Sequence, residues 1–198
     1  MARTIGSLQG LTARGQAAVS HPDTRLEEDL RLPEAPFVFV TVGTDHHPFD
    51  RLVSWAEAWS ERTGVACFVQ TGTSQLVAQA PGADYLPYPT MVDAMSEAVA
   101  VVCHGGPATI MLARQCGRIP LVVPRDPKRG EHVDDHQLRF SRWMADKGQI
   151  VVIPDLGMLE DQLALALTDG TALRLDGDGD ETAAAVARFT ELVNDLME

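Results

Sequence analysis

The feature that most constrains the fold is a series of short, continuous apolar runs that alternate with helix-like segments from Phe37 onward. The first run, residues 37–42, consists of β-branched and aromatic residues and lies between Pro36 and Gly43. A run this short and uniformly apolar is typical of a strand buried on both faces, as in a parallel sheet. Strands that alternate with helices at this spacing predict right-handed βαβ units and a doubly wound, Rossmann-like α/β domain.

The same pattern predicts six strands and six helices. Strands are expected at residues 37–42, 65–70, 84–86, 99–103, 119–123 and 149–153. Helices are expected at residues 48–62, 91–97, 107–116, 132–146, 156–167 and 181–196. Gly64 and Gly117 follow two of these helices, where a left-handed residue commonly ends a helix. In a doubly wound sheet ligands bind at the carboxyl ends of the strands, so the functional residues are expected along that edge.

The N-terminal segment differs from the rest of the chain. Residues 1–35 lack a clear apolar period, and the X-Pro steps at Pro33 and Pro36 favour extended backbone. We therefore expect a loosely ordered arm over residues 1–35 and one α/β domain over residues 36–198. No run approaches the roughly 18 apolar residues of a membrane span, and three cysteines at unrelated spacings suit free thiols in a reducing cytoplasm. A cytoplasmic chain without a direct membrane span is expected.

The charge of the chain excludes one class of partner. The formal net charge is −12, whereas binding to nucleic acid requires clustered Lys and Arg. No nucleic-acid partner is therefore expected. Arg125, Lys128 and Arg129 form the one basic candidate, which would either meet a phosphate or an anionic lipid or lie in a solvated loop.

The turn His104-Gly105-Gly106 joins a predicted strand to the helix that begins at Pro107. Proline is favoured at the first helical position, where its missing N–H loses no bond. The amides of Ala108 and Thr109 are then left without intrahelical partners, and with the helix dipole they attract an anion such as a diphosphate. Two glycines let that anion approach the backbone, and the imidazole and the threonine hydroxyl add hydrogen bonds. A tight turn without a ligand is the alternative.

Three motifs, taken in order, resemble the C-terminal domain of glycosyltransferase family 28. They are residues 40–44 with 48–53, residues 103–106, and residues 130–137. The chain is most similar to stand-alone versions of that domain, which serve as subunits of two-part transferases. The resemblance implies that the fold is the C-terminal half of a GT-B fold, that the donor is a UDP-sugar and that neither a metal nor a cofactor is needed.

The resemblance also assigns residues to parts of the donor. The turn of His104, Gly105 and Gly106 would hold the diphosphate, and the segment from Tyr88 through Pro89 to Met91 would receive the uracil through backbone hydrogen bonds. Three residues of the third motif, Asp135, His136 and Gln137, would read the sugar hydroxyls, and the carboxylate of Glu131 has the chemistry for the same role. Five residues would line loops that face the cleft between the two halves of the enzyme: Gly43, Thr44, Thr71, Gly72 and Thr73.

The third motif has two further interpretations. Its carboxylate, imidazole and amide groups suit a hexose, but they would equally form a solvated first turn of the helix predicted over residues 132–146. His132 and His136 lie four residues apart, which is the spacing of a zinc ligand pair. A third ligand is not evident and the H-E-x-x-H spacing is absent, so no metal site is predicted. The loop at residues 176–180 resembles half a calcium loop without its final Glu, and a plain loop is expected.

The resemblance implies that the chain is the donor-binding subunit of a hexosyltransferase. It would move a hexose of the GlcNAc or glucose type from a UDP-sugar to a lipid-linked or polysaccharide acceptor. A membrane-associated partner subunit would supply the acceptor site, hold the chain at the inner face of the membrane and be required for activity. In fused relatives the acceptor-binding half carries the catalytic base; His46 and His47 are the candidates within this chain.

Two other functions were weighed against this one. A non-catalytic nucleotide-sugar-binding or regulatory module fits the same residues. A nicotinamide-dependent enzyme does not, because the loop after the first strand lacks G-x-G-x-x-G and the second strand ends in Gln70-Thr71 rather than an acidic residue.

Overall fold

The computed structural model describes residues 31–75 and 80–175. In these residues, six strands alternate with five α-helices. The strands are β1 Phe37–Thr41, β2 Ala66–Gln70, β3 Gly82–Ala83, β4 Ala100–His104, β5 Leu121–Val123 and β6 Val151–Val152. The helices are α1 Asp50–Thr63, α2 Tyr88–Glu97, α3 Pro107–Gln115, α4 His136–Asp146 and α5 Leu156–Thr168, with a 3₁₀ turn at Pro127–Arg129.

All six strands run parallel, in the order β3-β2-β1-β4-β5-β6. The chain moves outward from β1 to β3 and then returns to place β4 on the other side of β1. In register, Val40 of β1 lies between Val69 of β2 and Val102 of β4. The strand order reverses at β1 and β4, so their carboxyl ends form the crevice where such sheets bind ligands. The predicted doubly wound fold is confirmed.

The core explains why the central strands read as continuous apolar runs. Every residue of β1, β4 and β5 is buried, because helices cover both faces of the sheet. Leu52 of α1 and Leu159 of α5 pack in the cluster on one face, and Ile110 of α3 and Met144 of α4 pack in the cluster on the other. Full burial of each such side chain contributes roughly 1.5–3 kcal/mol. None of the helices in the described residues is long and apolar enough to cross a membrane.

The boundaries differ from the predictions where the backbone rather than the side-chain pattern decides them. β3 lies at Gly82–Ala83 instead of residues 84–86, because it is defined by pairing with β2. α2 begins at Tyr88 rather than Met91, with a proline in its first turn. α4 begins at His136 rather than residue 132.

Gly64 and Gly117 are left-handed, each with φ 73°, as predicted. The predicted arm, apart from residues 31–35, lies outside the described residues. So do the helix predicted at residues 181–196 and the loop at residues 176–180.

Candidate functional site

A cavity of about 200 Å³ lies at the carboxyl edge of the sheet. One predicted cleft loop and two segments predicted to bind donor meet in it: the loop after β1, the turn after β4 and the first turn of α2. Its lining residues are Gly43, Thr44, Gln70, Met91, His104, Gly106, Pro107, Ala108 and Thr109. Gln70 was not among the predicted site residues, and its Oε1 accepts a hydrogen bond of 2.6 Å from the Thr41 hydroxyl.

The N-terminus of α3 forms one wall of this cavity. Gly106 is the N-cap in extended conformation, and no side chain caps the helix. The first helical bond runs from the amide of Ile110 to the carbonyl of Gly106, at 3.1 Å. The amides of Ala108 and Thr109 have no partner among the described residues. Two free donors and the positive end of the helix dipole therefore border the cavity, as the sequence predicts.

The glycines around the cavity are required by close packing, because a side chain at each position would collide with a neighbouring residue of the protein. A Cβ at Gly106 would lie 2.2 Å from Nε2 of His104, and one at Gly43 would lie 2.4 Å from its Cε1. Gly43 also has a φ of 80°, which side chains rarely adopt. A Cβ at Gly105 would lie 2.9 Å from Oγ of Ser141 in α4. The backbone packs this closely against a buried imidazole and a helix, which places the free amides at the cavity surface.

His104 is a neutral group at pH 7. Its side chain is only 8% exposed. Burial, followed by the positive charge of Arg125, lowers the pKa of His104 to about 4. Its Nδ1 has no hydrogen-bond partner within the described part of the chain. The residue lines the cavity and adds no charge to a bound anion at neutral pH.

The segment predicted to receive uracil forms the first turn of α2. Pro89 has no amide, and the amide of Met91 is bonded to the carbonyl of Pro87 at 3.0 Å. Met91 lines the cavity, while the ring of Tyr88 is 66% exposed. The turn thus lies beside the cavity with an exposed aromatic ring at its start.

Gln137 connects the predicted diphosphate turn to the third motif. Its side chain is buried, and its Oε1 accepts hydrogen bonds from the amides of Gly105, at 3.2 Å, and Arg125, at 3.3 Å. This carbonyl oxygen fixes the orientation of the turn. The side chain itself does not line the cavity.

Glu131 does not fit the predicted role in reading sugar hydroxyls. Its carboxylate forms a two-bond ion pair with Arg51, at 2.7 and 2.8 Å, and accepts the amide of Asp126 at 2.8 Å. These interactions occupy it within the protein. Asp135 is exposed and pairs with Arg139 at 3.1 Å, as in a solvated first turn.

Arg125 does not form the basic patch considered in the sequence analysis. Its side chain is completely buried and donates to the carbonyls of Val42, His47, Pro48 and Glu131 at 2.7–3.2 Å. A phosphate or lipid role is therefore wrong for this residue. It ties the loop after β1 to the segment before α4, while Lys128 and Arg129 are exposed.

The two predicted cleft loops contact each other. Gly72 is left-handed, and a Cβ there would lie 2.8 Å from the carbonyl oxygen of Gly43. The hydroxyl of Thr73 donates to the carbonyl of His46 at 3.2 Å. The hydroxyl of Thr71 is 3.2 Å from Oδ1 of Asp84. Of the five predicted cleft residues, Gly43 and Thr44 line the cavity, Gly72 and Thr73 contact that loop, and Thr71 bonds to Asp84 instead.

Four histidines and two aspartates from two loops form one histidine–aspartate cluster: Asp45, His46, His47, His132, Asp134 and His136. Asp45 joins the two halves, since its Oδ1 lies 2.6 Å from Nδ1 of His47 and its Oδ2 lies 3.5 Å from Nε2 of His132. His136 hydrogen-bonds to Asp134. His132 and His136 meet, with ring centroids 4.6 Å apart, although residue 132 precedes the helix. Because His132 lies outside the helix, the helix predicted over residues 132–146 does not produce that contact.

Asp45 is the acidic residue that the sequence analysis missed. Burial alone raises the pKa of Asp45, but hydrogen bonds from the amide and ring of His47, with the charges of His47 and Arg125, lower the pKa to about 2. The carboxylate is therefore ionised at neutral pH. The only signal in the sequence was its position between Thr44 and the two histidines.

The sequence profile of the glycosyltransferase family 28 C-terminal domain matches residues 37–196. The chain belongs to this family. The match spans all the strands and helices described above, including the turn after β4 and the histidine–aspartate cluster. A search of the curated proteins found no match.

Three solved structures are similar to this family 28 domain. Acinetobacter baumannii MurG matches with a TM-score of 0.50 and 24% identity, over 72% of this chain and 44% of MurG. The glycotransferase of kitacinnamycin gives a TM-score of 0.47 and 16% identity, over 74% and 38% of the two chains. SnogD from Streptomyces nogalater gives 0.44 and 16%, over 80% and 45%. The chain spans less than half the length of each, and its fold is the Rossmann-like half of a GT-B enzyme.

Proposed function

We propose that this family 28 domain is the donor-binding subunit of a glycosyltransferase that takes a hexose from a UDP-sugar. The observation that supports this most directly is the cavity at the switch point of the sheet, where the free amides of Ala108 and Thr109 meet the first turn of α2. A diphosphate on those amides would place the nucleoside toward Met91. The sugar would extend toward Gln137.

The amides account for leaving-group stabilisation without a metal ion. When the bond between the sugar C1 and the diphosphate breaks, negative charge develops on the departing oxygen. Fixed N–H donors and a helix dipole stabilise such charge because they need no reorganisation during the reaction. The neutral imidazole of His104 would add a hydrogen bond.

The pair of Asp45 and His47 is the best supported candidate for the catalytic base. The acceptor hydroxyl oxygen must bond to C1 and lose its proton. Asp45, ionised and 2.6 Å from Nδ1 of His47, orients the ring and leaves Nε2 as the proton acceptor. His47 is partly exposed on the loop that continues from Thr44 at the cavity.

The acceptor site belongs to a second, membrane-associated subunit in this proposal. The match covers 44% of the MurG chain, and we assign the remaining, acceptor-binding part of such an enzyme to the partner. The acceptor would be a lipid-linked saccharide or a growing polysaccharide. The partner would hold this subunit at the cytoplasmic face of the membrane, and transfer would require both.

Titration calorimetry of the chain tests donor binding, with UDP, UDP-GlcNAc, UDP-glucose and GDP-mannose as ligands. The proposal expects UDP and UDP-sugars to bind and GDP-mannose to bind more weakly. A preference for GDP-mannose would contradict the uridine assignment. Transfer assays on the chain alone and with its candidate partner follow, and full turnover by the chain alone would contradict the two-subunit arrangement.

The base is tested with His47→Ala, assayed in the reconstituted pair. We expect kcat to fall by about 10²-fold or more while UDP affinity is unchanged. His46→Ala, on the neighbouring and more exposed ring, is the matched control and should stay near wild type. If donor binds but the reconstituted pair shows no transfer with any acceptor, a regulatory nucleotide-sugar-binding module becomes the better description.

A further inference from the structure

A second cavity, of about 290 Å³, lies where β5 and β6 end. Pro124, directly after β5, and Val152, the last residue of β6, both line it. We call it the arginine cavity, because Arg51, Arg129 and Arg142 line it together. It shares no lining residue with the donor cavity, although both lie at the carboxyl edge of the sheet. The proposed donor does not use it.

Arg51 is a fixed cation in the wall of the arginine cavity. Its Nε and Nη2 donate to the two carboxylate oxygens of Glu131, at 2.7 and 2.8 Å, and Nη2 also donates to the carbonyl of Pro124 at 3.1 Å. The guanidinium lies 5.1 Å from the ring centre of Phe49 and 5.0 Å from that of Trp55. These contacts set its orientation before any ligand arrives. Nη1 has no partner among residues 31–75 and 80–175, which leaves it as the uncommitted donor of the group.

The other two arginines of the cavity are exposed cations. Arg142 forms no ion pair with any residue that the structure describes, and Arg129 has its Nε 3.8 Å from Oδ2 of Asp126. The Oδ1 of Asp126 accepts the amide of Lys128 at 2.9 Å. Three guanidinium groups therefore face two carboxylates, those of Asp126 and Glu131. The cavity keeps an excess of positive charge on a chain whose net charge is −12.

Apart from Asp126, the rest of the lining is apolar. Leu138 precedes Arg142 by one turn of α4, so the same face of the helix supplies an apolar and a cationic group. The apolar lining residues are Pro124, Leu138, Val152, Ile153 and Pro154. A concave site with apolar walls and a few charged groups is typical of a small ligand rather than of a flat contact between proteins. An anionic group attached to an apolar chain matches both parts of the lining.

We propose that the arginine cavity binds a phosphate or diphosphate ester of an apolar alcohol, with the phosphate on the arginines and the chain on the apolar wall. A planar guanidinium donates two parallel hydrogen bonds to phosphate oxygens, which makes arginine the preferred residue for such groups. A diphosphate has enough oxygens to contact one fixed and two exposed guanidinium groups without their meeting at one point. An anionic membrane surface fits less well, because the net charge of −12 repels it. The site is independent of whether the chain transfers sugar.

Titration calorimetry of the chain with geranyl diphosphate, a soluble ester with a short apolar chain, tests this proposal. One equivalent should bind, with the same affinity in the presence and absence of excess UDP, because the two cavities are separate. Inorganic pyrophosphate should bind at least tenfold more weakly, since it buries no apolar surface. The proposal is wrong if geranyl diphosphate does not bind, if pyrophosphate binds equally well, or if UDP displaces the ester. A chain that binds the ester but not UDP would contradict the proposed function alone.

Variants then locate the ester. Arg142→Gln and Arg129→Gln should each weaken the binding of geranyl diphosphate about tenfold through loss of a charged donor. Arg139→Gln is the matched control, because Arg139 lies on the same helix, pairs with Asp135 and does not line the cavity. It should bind the ester as wild type does. All three side chains are exposed, so folding is expected to be retained, and circular dichroism checks it. Wild-type affinity in Arg142→Gln, or an equal loss in Arg139→Gln, would overturn the proposal.

Vesicles distinguish a single ester from a membrane surface. The chain should not sediment with vesicles of phosphatidylglycerol. Sedimentation that Arg142→Gln abolishes would mean that the arginines bind an anionic bilayer, and the proposed ligand would then be wrong.

Discussion

The turn after β4 and the histidine–aspartate cluster lie at the same edge of one sheet but are built in opposite ways. The turn offers main-chain amides to a ligand, and its two glycines allow the close packing that exposes those amides. The cluster offers side chains, and its main chain is held by Arg125. The first depends on residues that are consecutive in sequence, and the second depends on two loops that only the fold brings together. A local motif therefore predicts the turn, whereas the cluster becomes visible only in three dimensions.

The largest expected effect is on the free energy of unfolding, and it distinguishes the cost of a steric collision from the cost of backbone strain. Gly43→Ala forces a left-handed residue and a collision with the buried His104 ring, and we expect a loss of about 4 kcal/mol in the free energy of unfolding. Gly130→Ala has a similar φ of 73° but open space around it, so it should lose only about 1 kcal/mol. Urea denaturation measures both. Equal losses of stability in the two variants would mean that the His104 ring does not collide with a side chain at position 43.

The next effect tests whether Arg125 holds the two loops of the cluster. Arg125→Met leaves four carbonyl groups without their donor, and we expect a loss of about 3 kcal/mol. Arg129→Met removes an exposed guanidinium that is 3.8 Å from Asp126 and should change stability by less than about 0.5 kcal/mol. Thermal unfolding of the two variants measures the difference. Similar values would show that the buried side chain is not a structural tie.

The third prediction concerns pH. The pKa of His104 is lowered to about 4 in the folded chain, so the unfolded chain binds more protons below about pH 6.5. Stability supplied by the neutral ring is therefore present above that pH and lost as the pH falls, by roughly 2 to 3 kcal/mol near pH 4.5. His104→Gln should remove this part of the slope. A variant with the wild-type slope would show that His104 titrates normally.

The smallest effect concerns the turn as a donor site. Gly106→Ala places a Cβ against Nε2 of His104 at the helix N-cap, and displacement of the ring or the turn should weaken UDP binding about tenfold, or 1.4 kcal/mol. Gly170→Ala introduces the same group where nothing lies within 4 Å and should bind UDP as wild type does. Calorimetry compares the two. Unchanged UDP affinity in Gly106→Ala would mean that the turn does not bind the donor.

The contrast between the two regions also explains what the sequence could predict. Residues 37–41 and 100–104 are buried on both sides by helices, so uninterrupted apolar runs were a sufficient signal for β1 and β4. Pro107 after two glycines likewise marked the start of α3. The fold and the diphosphate turn follow from such local patterns. β3 was misplaced, because two residues that pair through the backbone carry no side-chain pattern.

The sequence did not predict the roles of polar side chains that can either bind a ligand or pair with another residue of the protein. Glu131 has the chemistry to bind sugar, but Arg51, eighty positions earlier, occupies its carboxylate. Arg125 looked like a surface cation and is the most buried charge of the site. In both cases the deciding partner lies in a distant segment, and no spacing within the motif could reveal it.

A crystal structure of the chain soaked with UDP tests the central claim most directly. The account predicts diphosphate oxygens within about 3 Å of the amide nitrogens of Ala108 and Thr109, with the uracil against the first turn of α2. Electron density for UDP elsewhere on the chain, with water alone at those amides, would contradict it.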